Sequence, residues 1–101
     1  MEITISQNQG AATITLKGKV DEQGATLLKH HFKELDLSKL KEVIFDFGNV
    51  LYIGSAGIGK LLLFYKELAM HDLNLKVVNT SEDIFNLFQI LKLDNVFKVT
   101  R

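Results

Sequence analysis

Glu42-Val43-Ile44-Phe45-Asp46-Phe47 and, a short turn later, Gly54-Ser55-Ala56-Gly57-Ile58-Gly59-Lys60-Leu61-Leu62 are the stretch on which the fold turns. Val43, Ile44, Phe45 and Phe47 are too apolar for a one-faced strand, so this segment is expected inside a largely parallel sheet. A parallel neighbour needs a crossover, and the residues after the glycines supply one. Ile58, Leu61, Leu62, Tyr65, Leu68 and Ala69 recur at helical spacing. Upstream, Ile3 and Ile5 alternate with Thr4 and Ser6, and Ala12, Ile14 and Leu16 alternate with Thr13, Thr15 and Lys17. These are two strands joined as a hairpin across Asn8-Gln9-Gly10. Gly18 reads as the end of the second strand, and Asp21 as the cap of a helix carrying Leu27, Leu28, Phe32 and Leu35. Downstream come a strand over Leu75-Lys76-Val77-Val78, a helix capped by Ser81 with Ile84, Leu87, Phe88 and Leu91 in its stripe, and a last strand over Val96-Phe97-Lys98-Val99. The order β-β-α-β-α-β-α-β predicts an α/β domain with a mixed sheet of about five strands and the helices packed mainly on one side. The expected core is Ile14, Leu16, Val43, Phe45, Ile58, Leu62, Tyr65, Val77, Ile84, Leu87 and Phe88.

Composition sets the outer limits. A chain of 101 residues without a linker, repeat or low-complexity stretch is expected to be one domain, residues 1–101. Surface scaling gives on the order of 6,000 Å² for the folded chain, about a third of the open chain's surface. Twelve basic residues balance twelve acidic ones, so no global field draws the chain to nucleic acid or anionic lipid. The absence of Cys excludes disulfides, thiolate metal sites and a cysteine nucleophile. Met1-Glu2-Ile3-Thr4 lacks the features of a signal peptide, and no apolar run has the length of a membrane span. The expectation is a soluble, cytoplasmic domain.

Gly54 to Lys60 also matches G-x-x-x-x-G-K, most of a phosphate-binding P-loop. A P-loop needs a following Ser or Thr to bind Mg²⁺, and Leu61 stands there, so nucleotide hydrolysis is the weaker reading. His30 and His31 are adjacent on a helix and point about 100° apart, so they do not grip one metal. His71 falls where a helix C-terminus offers carbonyls. No metal and no cofactor are called for. Asn79-Thr80-Ser81 fits a glycosylation sequon, but entry to the third helix accounts for it.

Ser55 carries two readings. As an N-cap it contributes about 1 kcal/mol. As a phosphate acceptor it would place about −1.5 to −2 charges at the positive end of a helix dipole. On a helical projection Ala56, Lys60, Leu63, Glu67 and Met70 lie opposite the predicted core stripe. Leu63 and Met70 are then apolar residues on a wet face running from Ser55. They are either isolated exposed residues or a partner stripe, with Lys60 for steering.

These residues resemble a STAS domain, in particular the stand-alone bacterial anti-sigma factor antagonist. The resemblance rests on Phe45-Asp46-Phe47, Val50-Leu51-Tyr52-Ile53, Gly54-Ser55-Ala56-Gly57-Ile58-Gly59 and Leu61-Leu62. Gly18-Lys19-Val20-Asp21 before the first helix and Leu87 to Phe97 at the end extend it over nearly the whole chain. It implies a binding module rather than an enzyme. The unphosphorylated form binds an anti-sigma factor that is also a serine kinase. Phosphorylation at Ser55 releases the complex, and a metal-dependent serine phosphatase resets it. The partner surface implied is Asp21, Gly54, Ser55, Ala56, Gly57, Lys60 and Leu63. An adaptor subunit of a lipid or anion transport complex, without phosphorylation, is the alternative. No direct contact with nucleic acid and no membrane insertion are expected.

Three departures from the family pattern stand out. Gly54 replaces its usual Asp, Lys92 replaces a Gly common after the third helix, and Arg101 ends the chain where many relatives continue into a fourth helix. From the last departure the expectation is a less covered sheet edge or face, and with it a weak homodimer.

Overall fold

A computed structural model describes residues 1–101 as a five-stranded mixed sheet with three helices. The elements are β1 (Glu2–Asn8), β2 (Ala11–Val20), α1 (Glu22–Lys33), β3 (Glu42–Ile53), α2 (Ser55–Met70), β4 (Asn74–Val78), α3 (Glu82–Ile90) and β5 (Lys98–Val99). β1 pairs antiparallel with β2, and β2 to β5 are parallel in the order in which they occur in the chain. Each crossover therefore advances the same way. Right-handed crossovers that all advance in one direction put every helix on one face. Ala12, Ile14, Leu16, Val43, Phe45 and Val77 point to that face and are buried with Leu28, Phe32, Leu61, Phe64, Ile84 and Phe88 in a single core. The other face carries Thr13, Thr15, Ile44, Asp46 and Lys76, all half-buried, with Lys76 paired to Glu42 at 3.1 Å. The exposed surface is 6064 Å², as the scaling predicts.

Local chemistry sets the boundaries. Gln9 (φ 51°) and Gly10 (φ 86°) are both left-handed, the requirement of a two-residue hairpin turn that follows the strand twist. The Asp21 carboxylate accepts from the Gly24 amide at 2.8 Å, and the Ser81 hydroxyl accepts from the Ile84 amide at 3.2 Å, so both expected caps are in place. Thr80, the centre of the sequon, is buried and donates its hydroxyl to the Thr100 carbonyl at 2.9 Å. The His71 ring donates to the Glu67 carbonyl at 2.9 Å and closes α2.

Four expectations need correction. Gly18 does not end β2. It sits inside the strand at φ 112°, where the register with β3 shifts. The last strand is only Lys98–Val99, because Leu93–Asn95 wind into a 3₁₀ turn that carries Phe97 into the core. Leu27 and Leu91 are exposed, since Gly24 and Ala25 fill the face of α1 that meets the sheet and Leu91 lies at the C-cap of α3.

The fourth correction concerns α2. Its buried residues are Gly57, Leu61, Phe64 and Leu68, an arc turned by about 70° from the expected stripe. The cause is α1. Phe64 lies between Phe32 of α1 and Phe45 of β3, with ring centroids 4.2 and 5.9 Å apart and planes nearly parallel. A helix with two neighbours buries the sector between them. Ile58, Leu62 and Tyr65, like Leu87 of α3, are only partly buried against the core, and Ala69 is exposed. Phe64→Ala is expected to lower unfolding stability by about 3–5 kcal/mol. Leu63→Ala, one residue on but outward, should change it by less than about 0.5 kcal/mol. Urea denaturation of the two variants reads the difference, and equal losses would place the helix face wrongly.

Candidate functional site

β2 and β3 pair to their last residues, Val20 with Ile53, and each then enters a helix. The Gly54 amide donates to the Val20 carbonyl at 3.1 Å. This joins the Asp21 turn to the Gly54 turn and brings the N-termini of α1 and α2 side by side at one end of the sheet.

Two irregularities in β3 shape that end. Thr15 pairs with Asp46 but Lys17 with Asn49, and Gly18 pairs with Val50 but Lys19 with Tyr52. Each shift adds one residue to β3, the signature of a bulge. At the first, the Asp46 carboxylate accepts from the Gly48 amide at 2.9 Å and from the Asn79 side chain at 3.1 Å. The bulges change the strand's period. Phe47, Val50 and Ile53 are buried at intervals of three rather than two, and Leu51 and Tyr52 turn out to solvent, 77% and 51% exposed. The short turn expected between Phe47 and Gly54 is therefore the bulged end of β3, with Leu51 and Tyr52 as surface residues. The three-residue apolar spacing was the available signal.

Ser55 is not the N-cap. That position is Gly54, whose backbone is extended and which has no side chain to cap with. Ser55 is the first helical residue, exposed, and its hydroxyl makes no hydrogen bond within the chain. The first helical bond runs from the Ile58 amide to the Gly54 carbonyl at 3.0 Å. The amides of Ser55, Ala56 and Gly57 precede it and form the positive end of α2.

The glycines are here for space, not for unusual dihedrals. Neither Gly54, Gly57 nor Gly59 has a positive φ. Gly57 and Gly59 lie inside α2, so the near match to a P-loop contains no loop to cradle a phosphate. At residue 57 a Cβ would fall 2.7 Å from Val20 Cγ1, 2.8 Å from Ile53 Cγ1 and 3.1 Å from the Val20 carbonyl. At residue 54 it would fall 2.7 Å from the Tyr52 hydroxyl. Where the family carries Asp, this chain therefore has a bare backbone with a tyrosine leaning over it. Around Gly59 there is open space. Lys92 meets the other departure. Its φ of 59° is left-handed, a conformation that suits the family's glycine better.

The expected partner residues are brought together in part. Gly54, Ser55 and Ala56 form the rim, and Gly57 is buried beneath them. Lys60 is half-buried and Leu63 is 55% exposed on the side of α2 next to α1. They border a groove of about 320 Å³ whose other wall is Glu22, Ala25 and Thr26. Asp21 lies at the adjoining turn, one carboxylate oxygen committed to its cap. Met70 is exposed but lies two turns beyond Leu63, near the opposite end of the sheet. No three His, Cys, Asp or Glu side chains are clustered to hold a metal ion, and no helix is long and apolar enough to cross a membrane.

The chain thus has a one-sided mixed sheet in chain order, with an exposed serine as the first residue of its second helix. The chain belongs to the STAS domain family, whose model matches residues 2–101. Among solved structures it is similar to an anti-sigma factor antagonist from Mycobacterium paratuberculosis, at 18% identity over 98% of this chain and 84% of that one, with a TM-score of 0.86. It is similar to the Bacillus cell fate determinant SpoIIAA in its phosphorylated form, at 17% identity over 99% and 92%, TM-score 0.77. A sulfate transporter family protein from Wolinella succinogenes matches at 16% identity over 92% and 78%, TM-score 0.81. At these identities the likeness is one of fold.

The contrast between the glycines is testable. Gly57→Ala is expected to destabilise by about 1–3 kcal/mol, because β-sheet side chains and backbone must shift. Gly59→Ala should stabilise by about 0.5–1 kcal/mol, because a helix-interior glycine is replaced where there is room. In a domain of this size each kcal/mol moves Tm by about 4–8 °C. Equal shifts in one direction would contradict the close approach at Gly57.

Proposed function

We propose that the protein is a phosphorylation-switched anti-sigma factor antagonist that binds an anti-sigma factor with serine kinase activity, in the cytoplasm, and acts by binding rather than catalysis. The observation that carries this is Ser55: exposed, without an internal hydrogen bond, at the positive end of α2, and beside the groove bordered by Lys60 and Leu63. A kinase can reach such a hydroxyl without unfolding the domain. The added phosphate is tolerated by the helix dipole, so the fold persists in both states. A partner packed over the rim must instead desolvate or repel a dianion. A 100-fold loss of affinity needs only about 2.7 kcal/mol, within reach of a buried charge mismatch. A metal-dependent serine phosphatase would reverse the mark. SpoIIAA, similar in fold, is known in a phosphorylated form, which supports the reading.

Gly54 bears on the kinase step: either the kinase does not need the family's Asp, or this chain is modified poorly. Asp at this position would place a carboxylate beside the acceptor hydroxyl. Here the Tyr52 hydroxyl lies 2.7 Å from where a Cβ of residue 54 would stand. The similarity to a sulfate transporter family protein favours a second reading, an adaptor that docks by the same surface without phosphorylation.

Intact mass after incubation with the partner kinase and ATP separates the two. The first reading expects one phosphate on the wild type and none on Ser55→Ala, with Ser55→Ala still bound. Phosphate mapped to Thr80 or Ser81 would overturn the assignment. Leu63→Glu is expected to weaken the complex while leaving Tm within about 2 °C, because the side chain points outward. A variant that binds fully would place the partner elsewhere.

A further inference from the structure

The seam between α1 and α2 continues past Leu63, away from Ser55, into a second hollow of about 220 Å³. Lys29 and Lys33 of α1 stand on one bank, Lys60 and Glu67 of α2 on the other. Leu63 forms the floor with the buried, stacked rings of Phe32 and Phe64 beneath it. Because α1 and α2 each follow one of two parallel strands, they run side by side in the same sense, and the seam between them holds two hollows that meet at Lys60 and Leu63.

The charges in this seam are unspent. The ion pairs of the chain are Lys39 with Asp36, Lys76 with Glu42, and Arg101 with Glu82. None involves Lys29, Lys33 or Lys60. Lys29 and Lys33 stand one helical turn apart on an exposed face, where like charges cost α1 about 0.2–0.5 kcal/mol. Glu67, the one carboxylate bordering this hollow, lies beyond 4.0 Å of every lysine nitrogen. Along the whole seam three lysines face two carboxylates, Glu22 at the Ser55 end and Glu67 at the other, so the excess of positive charge is concentrated in the second hollow.

We infer that the α1–α2 seam is a docking groove for an acidic amphipathic helix of a protein partner. The inference rests on the partner-docking reading of Lys60 and Leu63 and gives that partner's chemistry. An incoming helix lays its apolar stripe on Leu63 and on the aliphatic stems of the lysines, and sets Asp or Glu on both flanks against the three ammonium groups. From Ala56 to Glu67 the groove is about 16 Å long, room for three turns of helix. Desolvation of Leu63 supplies contact energy, and the lysines supply steering and polarity of choice.

A display library of amphipathic helices of three to four turns, with the apolar stripe fixed and the flanking positions randomised, tests this on the intact protein. Selection on the wild type is expected to enrich Asp and Glu at the flanks. Selection on Lys29→Glu/Lys33→Glu should enrich Lys and Arg instead, with the fold retained and Tm lowered by only several degrees, because both sites are exposed and Lys33 lies in the last turn of α1. A selected acidic peptide should bind the double variant at least about tenfold more weakly, a change of about 1.4 kcal/mol. Its binding to the wild type should weaken as ionic strength rises. Amide shifts on titration should centre on Lys29, Lys33, Lys60 and Leu63. Flanks without acidic bias, or shifts centred on the open sheet face, would overturn the inference. The selection uses no kinase, so its failure leaves the Ser55 switch standing. A serine that takes no phosphate, in turn, leaves the peptide result standing.

Discussion

The first turn of α2 lies where it does because residue 57 has no side chain. Val20 and Ile53 occupy the volume a Cβ would need, and the helix rests directly on the ends of β2 and β3. From that contact the rest of the site follows. The helix start is fixed to the strand ends, so Ser55 is held at the rim rather than on a free loop. The adjacent α1 is fixed by its own close approach, with Gly24 set against the Lys19 carbonyl. Two helices pressed this tightly onto neighbouring strands must also meet each other. The stacked rings of Phe32 and Phe64 are the result. The seam above those rings is the groove in which Lys60 and Leu63 are displayed.

The bulged half of β3 has a different task. β4 pairs only with Glu42 to Asp46, so beyond Asp46 one edge of β3 is without a strand neighbour. Asp46 meets this change with side-chain bonds to Gly48 and Asn79, which tie the first bulge to the turn before α3. Past that point the strand shows two residues outward for each one inward. Leu51 and Tyr52 thereby turn to solvent just ahead of the Gly54 turn. At Gly54 the Tyr52 hydroxyl occupies the space where a side chain would begin.

Alternation and helical spacing made the architecture readable in advance. The hairpin, the interior strand, the two side-chain caps and the one-sided packing all follow from local patterns that tertiary contacts did not override. What the sequence hid came from contacts between elements. The rotation of α2 depends on α1 as a second neighbour, which no single-helix projection contains. Gly18 looked like punctuation because a left-handed residue at a register shift and a strand end use the same amino acid. The cluster of glycines suggested backbone freedom, whereas Gly57 answers a need for room. At the candidate site, the outward placement of Ser55 and Leu63 was legible from helical geometry. Tyr52 was not, because its exposure depends on two bulges. Lys29 and Lys33 were not, because their meaning lies across a helix boundary.

Strand order identical to chain order also bears on how this domain comes into being. Each parallel strand pairs with the one made just before it, across a single helix, and never waits for a segment from the far end of the sequence. Such pairings keep loop-closure costs and contact order low for a parallel sheet. On a ribosome the hairpin of β1 and β2 can emerge first, then accept α1 and β3, then α2 and β4, each addition covering apolar surface left by the last. The core thus grows in the direction of synthesis. β5, with two residues, is the light closing piece rather than the keystone.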